Sequence, residues 1–414
     1  MSNRRPGRAA VTGIGVVAPN GLGTDAYGKS VGEGLDVLDL ISREGCEQMP
    51  LRVAGEVRAF DPAALIEEKF LVQTDRFSHF AMAAAALALD DAGLGGDPAE
   101  PFGIGVVTAA GSGGGEFGQR ELQKLWGQGS KFVGPYQSIA WFYAASTGQI
   151  SIRGGFKGPC GVVASDEAGG LDSLAHAARA VRRGTDVMVV GAAEAPLAPY
   201  SMVCQLGYPE LSTVDDPARA YRPFTEKACG FVPAEGGALL VVEDEERARE
   251  RGVPVRATVA GHAATFTGAS RWAESREGLA RAIRGALDEA GCAPEEIDVV
   301  FADAMGVPEA DRAEALAIAD ALGAHGTRVP VTAPKTGFGR AYCAAPVLDT
   351  VAAVLAMEHG RVPPTPHVFD ICHDLDLVMS RARPAELRTA LVLSRGLMGS
   401  NAALVVRRGD DSAR

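Results

Sequence analysis

The sequence predicts an α/β protein, with helices covering both faces of a sheet. Three observations lead there. Short apolar runs alternate with Ala-rich stretches of helical length along nearly the whole chain, a βαβ rhythm. The 51 glycines sit largely in apolar runs beside alanines, a composition suited to close approach of backbone to backbone. The chain has 414 residues, 47% of them hydrophobic and 22% charged, enough for one large body or two fused halves of about 200 residues each.

The elements follow in order. Ala9 to Val17 reads as a buried strand. Phe77 to Ala92 reads as a helix ended near Gly93, and Gly103 to Thr108 as a strand. Tyr136 to Ile150 is amphipathic and rich in aromatics. Gly161 to Ala164 is a short strand followed by a helix from Gly169 to Arg183. Asp186 to Ala192 and Gly237 to Glu243 are strands. Glu243 to Gly252 (EDEERARERG) is a charged, solvated helix between two halves. The second half repeats the grammar: strand Ala257 to Ala263, helix Arg276 to Ala290, strand Val299 to Ala302 and helix Ala344 to His359. A strand pair, Ala390 to Ser394 with Ala402 to Arg407, closes the chain, and Gly409 to Arg414 reads as a tail. No internal repeat is legible in the residues themselves.

Composition excludes several classes. A net charge of −12 leaves no basic face for nucleic acid. A local basic patch at Arg179, Arg182 and Arg183 is the exception. Seven cysteines (Cys46, Cys160, Cys204, Cys229, Cys292, Cys343, Cys372) are spread singly, so neither a disulfide framework nor a zinc site is expected and a reducing cytoplasm fits. Polar, basic Met1 to Arg8 precedes no apolar segment of signal length.

Tempting motifs fail. Gly13, Gly15 and Ala18 match G-x-G-x-x-A, but Pro19, Asn20 and Gly21 follow at once, so no helix starts where a pyrophosphate would need it. The bland reading is a tight turn after a buried strand. The histidines (His79, His176, His262, His325, His359, His367, His373) lack ligand spacing, and no metal or other cofactor is expected.

Four segments carry the chemistry. In Gly158 to Ala177 (GPCGVVASDEAGGLDSLAHA) a strand runs into a tight turn and a helix begins at the glycines. A side chain at such a turn faces a cavity beside the positive end of a helix dipole. This frame resembles the ketosynthase turn A-C-T-S-G-L-D, with Glu167 at the cysteine position. Phe301 to Glu314 (FADAMGVPEADRAE) resembles A-H-G-[ST]-G-T-x-x-N-D-x-x-E, with Asp303 in place of the first catalytic histidine. Pro334 to Ala344 (PKTGFGRAYCA) resembles K-S-x-x-G-H, keeping Lys335 and Gly339 and placing Arg340 at the second histidine. Ser394 to Asn401 (SRGLMGSN) resembles the F-G-F-G-G-x-N gating loop, with Arg395 and Leu397 for its phenylalanines. Arg222 to Gly237 resembles the R-P-F-D…G-F-V-x-G-E-G-A block.

The joint loss of Cys, His and His, with the run from Glu116 to Ile150, resembles the chain-length factors of bacterial type II polyketide synthases. These are the inactive partners of active ketosynthases. That family usually has Gln where this chain has Glu167, which puts in doubt any decarboxylase role ascribed to the Gln.

The resemblance implies a thiolase-like fold of two similar α/β halves in a five-layered αβαβα core, residues 1–250 and 251–414. It implies that Glu167, Asp303 and Arg340 converge with Lys335 nearby. A guanidinium can pair two carboxylates in a forked geometry, so a structural ion cluster is expected in place of a catalytic site. Cys160, placed before the strand, should be a small buried hydrophobe. The resemblance also implies a shared substrate tunnel near Gly111, Ser112, Gly113, Gly114, Gly115 and Phe117. Small residues there leave volume for a longer chain, and the competing reading is a turn that needs positive φ. Tyr136, Trp141, Phe142 and Tyr143 on a helix are expected at the partner interface, against plain core packing. The implied partners are a ketosynthase alpha subunit and an acyl carrier protein. The carrier would dock mainly on that partner, since like charges oppose broad contact with an acidic chain. A decarboxylase that initiates chains, or a factor of a reducing polyene-type synthase, are the other readings.

Overall fold

The computed structural model describes residues 7–96, 98–268 and 272–409. The tail after residue 409 and the first six residues therefore lie outside the described residues. Numbering principal elements only, the N-terminal half contains strands β1 (Ala9–Ala18), β2 (Ile104–Ala109), β3 (Cys160–Val163), β4 (Val187–Glu194) and β5 (Gly236–Asp244). The C-terminal half contains β6 (Ala257–Phe266), β7 (Val299–Phe301), β8 (Pro330–Thr332), β9 (Thr389–Arg395) and β10 (Ser400–Arg408). The first set lies in the order β3-β2-β4-β5-β1 and the second in the order β8-β7-β9-β10-β6.

Ranked by position in each half, both orders read 3-2-4-5-1. Directions match as well: β2 is parallel to β3 and β4, while β5 is antiparallel to β4 and β1. In the second half β7 is parallel to β8 and β9, and β10 is antiparallel to β9 and β6. The repeat that the residues conceal is thus present in the topology. The halves meet where Ala10 and Val11 of β1 pair with Thr258 and Ala257 of β6.

Alternation of side chains across each strand builds the layers. On β4 and β5, Val187, Val189, Leu239 and Val241 face helix α1 (Arg76–Asp91). Met188, Val190, Leu240 and Val242 face the opposite way, onto α4 (Gly169–Arg182). Helix α8 (Ala345–His359) lies beside α4 in the middle layer and is buried from Ala345 to Met357, as a helix apolar on nearly every side must be, with Asp349 as its buried charge. Helices α6 (Ser275–Ala290) and α7 (Pro308–Leu322) cover the outer face of the second sheet. The remaining principal helices are α2 (Gly115–Gln128), α3 (Ala145–Gly154) and α5 (Pro199–Gln205). The result is the expected αβαβα sandwich.

The glycines of the failed dinucleotide motif have a packing explanation. A Cβ on Gly13 would lie 2.1 Å from the Ala88 carbonyl oxygen, and one on Gly15 would lie 1.9 Å from that of Ala84. Both stand inside β1, where α1 presses directly on the strand.

Two local expectations need correction. Cys160 opens β3 instead of preceding it, and it is exposed, because β3 is the outermost strand of its half. The aromatic stretch is not one helix. Tyr136 precedes a one-turn helix, Gln137–Ala140, and Trp141, Phe142 and Tyr143 occupy the break before α3. No helix among the described residues is long and apolar enough to cross a membrane.

Candidate functional site

Glu167 sits in a 3-10 turn, Asp166–Ala168, between β3 and α4. The turn is tight: Asp166 has φ 57°, a left-handed value that non-glycine residues rarely adopt. Asp303 follows β7, and its neighbour Ala304 has φ 52°. Tyr342, two residues beyond Arg340, has φ 48°. Left-handed residues beside each of three converging segments mark a place where packing overrides local backbone preference.

The convergence is direct. Arg340 Nη2 donates to Glu167 Oε2 at 2.7 Å, and Arg340 Nη1 donates to Asp303 Oδ1 at 2.7 Å. Arg340 also donates to the backbone carbonyls of Asp303 (2.9 Å) and Arg395 (2.7 Å), and its guanidinium lies over the Phe231 ring. All three side chains are excluded from water.

A second guanidinium, unforeseen from the motif, completes the cluster. Arg395 at the end of β9 donates to Asp303 Oδ2 (3.1 Å) through Nε and to Glu314 Oε2 (2.9 Å) through Nη2. Its backbone N–H donates to Asp303 Oδ1 at 3.0 Å. Glu314 in turn accepts the N–H groups of Asp303 (2.7 Å) and Ala304 (2.9 Å), which fixes the turn that carries Asp303. Reading Arg395 only as a lost phenylalanine hid this role. The available signal was a charged residue ending a strand whose centre, Ala390 to Leu393, is apolar.

Lys335 stands apart from the carboxylates of the cluster. Its Nζ pairs with Asp349 of α8 at 2.5 Å and donates to the carbonyl oxygens of Ala302 (2.8 Å) and Asp303 (3.2 Å). It therefore holds the Asp303 backbone.

Burial pushes the Glu167 carboxyl up to about 7, against the pull of Arg340. Burial would also raise Asp303, but Arg340, Arg395 and Lys335 together outweigh it and hold that carboxyl below its ordinary value. Burial raises Glu314, with Arg395 opposing. Asp303 is therefore the anionic centre of the cluster, and Glu167 is its readily protonated edge.

Glu167 also lines a cavity of about 390 Å³ with Gly111, Ser112, Gly115, Ser201 and Tyr342. Gly111 and Ser112 bring the loop before α2 to this cavity. Glu194, at the end of β4, accepts from the Gly111 N–H (2.5 Å), Ser112 Oγ (2.7 Å) and Cys343 Sγ (2.9 Å), which pins that loop. Asp75 accepts the Phe117 N–H at 2.6 Å and holds its other end. Of the six residues expected around the tunnel, Gly111, Ser112 and Gly115 reach this cavity; Gly113, Gly114 and Phe117 do not line it.

The glycines differ in purpose. Gly113 has φ +68°, so the turn reading holds there. A Cβ on Gly114 would lie 2.0 Å from the Ala140 carbonyl oxygen. A Cβ on Gly115 would meet only the tip of Ser201. Trp141 lines the cavity and is 57% exposed, and Tyr136, Phe142 and Tyr143 are exposed beside it. In the expected basic patch, Arg182 is paired with Glu289 at 2.7 Å. No group of three or more His, Cys, Asp or Glu residues among the described ones could hold a metal ion.

Comparison with known proteins agrees with this frame. Residues 7–248 match the beta-ketoacyl synthase N-terminal domain, and residues 256–369 match the beta-ketoacyl synthase C-terminal domain. The chain belongs to the beta-ketoacyl synthase family. It is 77% identical, over 99% of its length and 98% of the relative's, to a polyketide beta-ketoacyl synthase 2 of Streptomyces cyaneus. It is 50% identical to the tetracenomycin polyketide synthase ketoacyl synthase beta subunit of Streptomyces glaucescens, over 97% of its length and 99% of the relative's. Among solved structures it is similar to the ishigamide ketosynthase/chain length factor, with a TM-score of 0.88, 28% identity and coverage of 97% and 99% of the two chains. It is also similar to a chain from a type II polyketide synthase acyl-carrier protein in complex with its ketosynthase bound to the hexaketide, with a TM-score of 0.86, 27% identity and coverage of 97% and 100%. Within the family the chain is thus a polyketide ketosynthase beta subunit, the branch of the chain-length factors.

Proposed function

We propose that this chain is a chain-length factor that carries no acyl group itself, pairs with an active ketosynthase alpha subunit and sets the length of a polyketide chain in a type II, aromatic-type pathway. One observation carries the reading. The three positions that match the ketosynthase nucleophile and its two histidines are filled by Glu167, Asp303 and Arg340, joined in one buried ion cluster. A carboxylate held against a guanidinium offers no thiolate to accept an acyl group, and no imidazole stands near it to move a proton.

The work left to the subunit is shape. The cavity bounded by Gly111, Ser112, Gly115 and Glu167 is the chamber that receives the far end of the growing chain. The exposed aromatics Tyr136, Trp141, Phe142 and Tyr143 face the ketosynthase. With a net charge of −12, the chain leaves the carrier protein to its partner. We divide the chain into an N-terminal half, residues 1–250, and a C-terminal half, residues 251–414, and place the complex in the cytoplasm.

The deciding experiment is co-expression with a ketosynthase alpha subunit and carrier protein, followed by mass analysis of carrier-bound chains. The reading expects chains only when both subunits are present, from the cysteine of the partner. The rival, a malonyl-carrier decarboxylase, is tested on the purified chain alone: carbon dioxide released from malonyl-carrier protein would replace the present reading.

A further inference from the structure

The Glu167 carboxyl group is used on one side only. Oε2 accepts from Arg340 at 2.7 Å. Oε1 is buried and has no hydrogen-bond partner within the chain. Glu167 is 3% exposed, yet it lines the cavity together with Gly111, Ser112 and Gly115. An unpaired oxygen in such a place costs stability unless something else pairs with it.

The neighbouring acids differ. Glu194, on the same cavity, has both oxygens occupied by Gly111, Ser112 and Cys343. Asp166 accepts the Met398 N–H at 2.8 Å. Tyr342 donates its hydroxyl to Gln205. Of the three acids on the cavity, Asp166, Glu167 and Glu194, Glu167 is therefore the one whose unpartnered oxygen is buried. Because Arg340 occupies Oε2, a proton on this carboxyl resides on Oε1, the oxygen without a partner within the chain.

We propose that Glu167 Oε1 is a binding contact for the far segment of a poly-β-ketone chain, forming a hydrogen bond with a keto or enol oxygen and so helping to set which chain length is retained. The inference rests on reading the cavity as the chain's chamber. A poly-β-ketone carries both carbonyl groups and methylenes, and the wall offers both kinds of surface: Ser112, Ser201 and Tyr208 as well as Pro196, Leu397 and Trp141. A keto oxygen accepts the Oε1 proton, and an enol hydroxyl donates to Oε1 when the group is ionised. One carboxyl can thus meet either tautomer. No bond is made or broken, and the role is one of binding.

The test uses the intact heterodimer with ketosynthase alpha subunit and carrier protein, read by mass analysis of product lengths. Glu167→Leu, similar in size and unable to hydrogen-bond, should reduce full-length relative to shorter chains by about fivefold, the value of one ordinary hydrogen bond. Glu167→Gln should restore most of the full-length share, since its amide can face Arg340 with oxygen and the cavity with N–H. Gly115→Phe, run in parallel, tests the chamber itself. Shortening by Gly115→Phe, with Glu167→Leu indistinguishable from Glu167→Gln, would overturn the contact and leave the chamber standing. Unchanged length in Gly115→Phe would overturn the chamber, and the contact with it. If Glu167→Leu does not co-purify with its partner, the double variant Glu167→Met, Arg340→Met removes the pair without leaving a lone buried charge, and the same ratio decides.

Discussion

Arg340 reaches Glu167 across the seam between the halves at 2.7 Å, with both side chains out of water. The same guanidinium reaches Asp303 at 2.7 Å, so one cation serves two carboxylates from different halves. Breaking such a buried pair from one side is costly, because the charges left behind have lost both water and partner. Arg340→Ala should therefore destabilise the protein by about 3–5 kcal/mol in denaturant unfolding of the heterodimer. A loss below about 1 kcal/mol would show that the cluster contributes packing alone.

Arg395 makes a parallel prediction. It bridges Asp303 and Glu314 and lies over the Trp272 ring. Arg395→Phe, which returns this position to the aromatic of the resembling gating loop, takes from Glu314 its paired cation and from Asp303 the second of two. Thermal unfolding should shift down markedly, and Arg395→Lys should recover only part of the loss, since Lys has no fork to span two carboxylates. Full recovery by Lys would mean that charge alone matters there.

The loop before α2 separates chain length from folding. Gly115→Phe should shorten the product with the heterodimer intact, because its Cβ meets only the Ser201 hydroxyl at 2.1 Å, a side-chain tip that can turn away. Gly113→Phe should fail to fold or assemble, because that position has φ +68° and its Cβ would lie 2.7 Å from the Trp141 carbonyl oxygen. The two outcomes are read by mass analysis and co-purification; equal folding of both variants contradicts the assignment.

The pH dependence has a definite sign. Burial raises the Glu167 carboxyl from 4.5 to about 7 and the Asp311 carboxyl from 3.8 to about 7. Between those values the folded chain holds protons that the unfolded chain has released, so stability falls as pH rises from about 4.5 toward 7 and then levels. Asp303, held low, acts oppositely and loses its contribution only as pH falls below its ordinary 3.8. The melting temperature should accordingly be higher at pH 5.5 than at pH 8 by about a few degrees, and Glu167→Gln should flatten part of that slope. A melting temperature that rises from pH 5.5 to pH 8 contradicts the assignment.

The partner face is open to a chemical test. Cys160 is exposed on β3, the outermost strand of its half, and the exposed Trp141, Phe142 and Tyr143 precede it in the chain. An outermost strand leaves an unpaired edge, and exposed aromatics are common anchors of interfaces. Trp141→Asp should weaken association with the alpha subunit by about tenfold or more in a binding titration. Wild-type affinity in that variant removes Trp141 from the interface.

The sequence by itself determined the alternation of strand and helix and the strand-turn-helix that carries Glu167, while the places of Glu167, Asp303 and Arg340 came from resemblance to ketosynthase motifs. The first two are local facts, because apolar period and turn residues are written in consecutive positions. It also showed small residues from Gly111 to Gly115, without distinguishing Gly113, which needs a left-handed backbone, from Gly115, which faces the cavity. Only the tertiary structure decided that Arg395 joins the cluster, that Lys335 belongs to Asp349, that Cys160 is exposed on an edge, and that Glu167 lines the cavity with one oxygen left without a partner in the chain. Each of these depends on groups far apart in the chain meeting at hydrogen-bond distance, and burial then sets which charges survive. The matching 3-2-4-5-1 order of the two halves belongs to the same class, since pairing order is a property of the sheet.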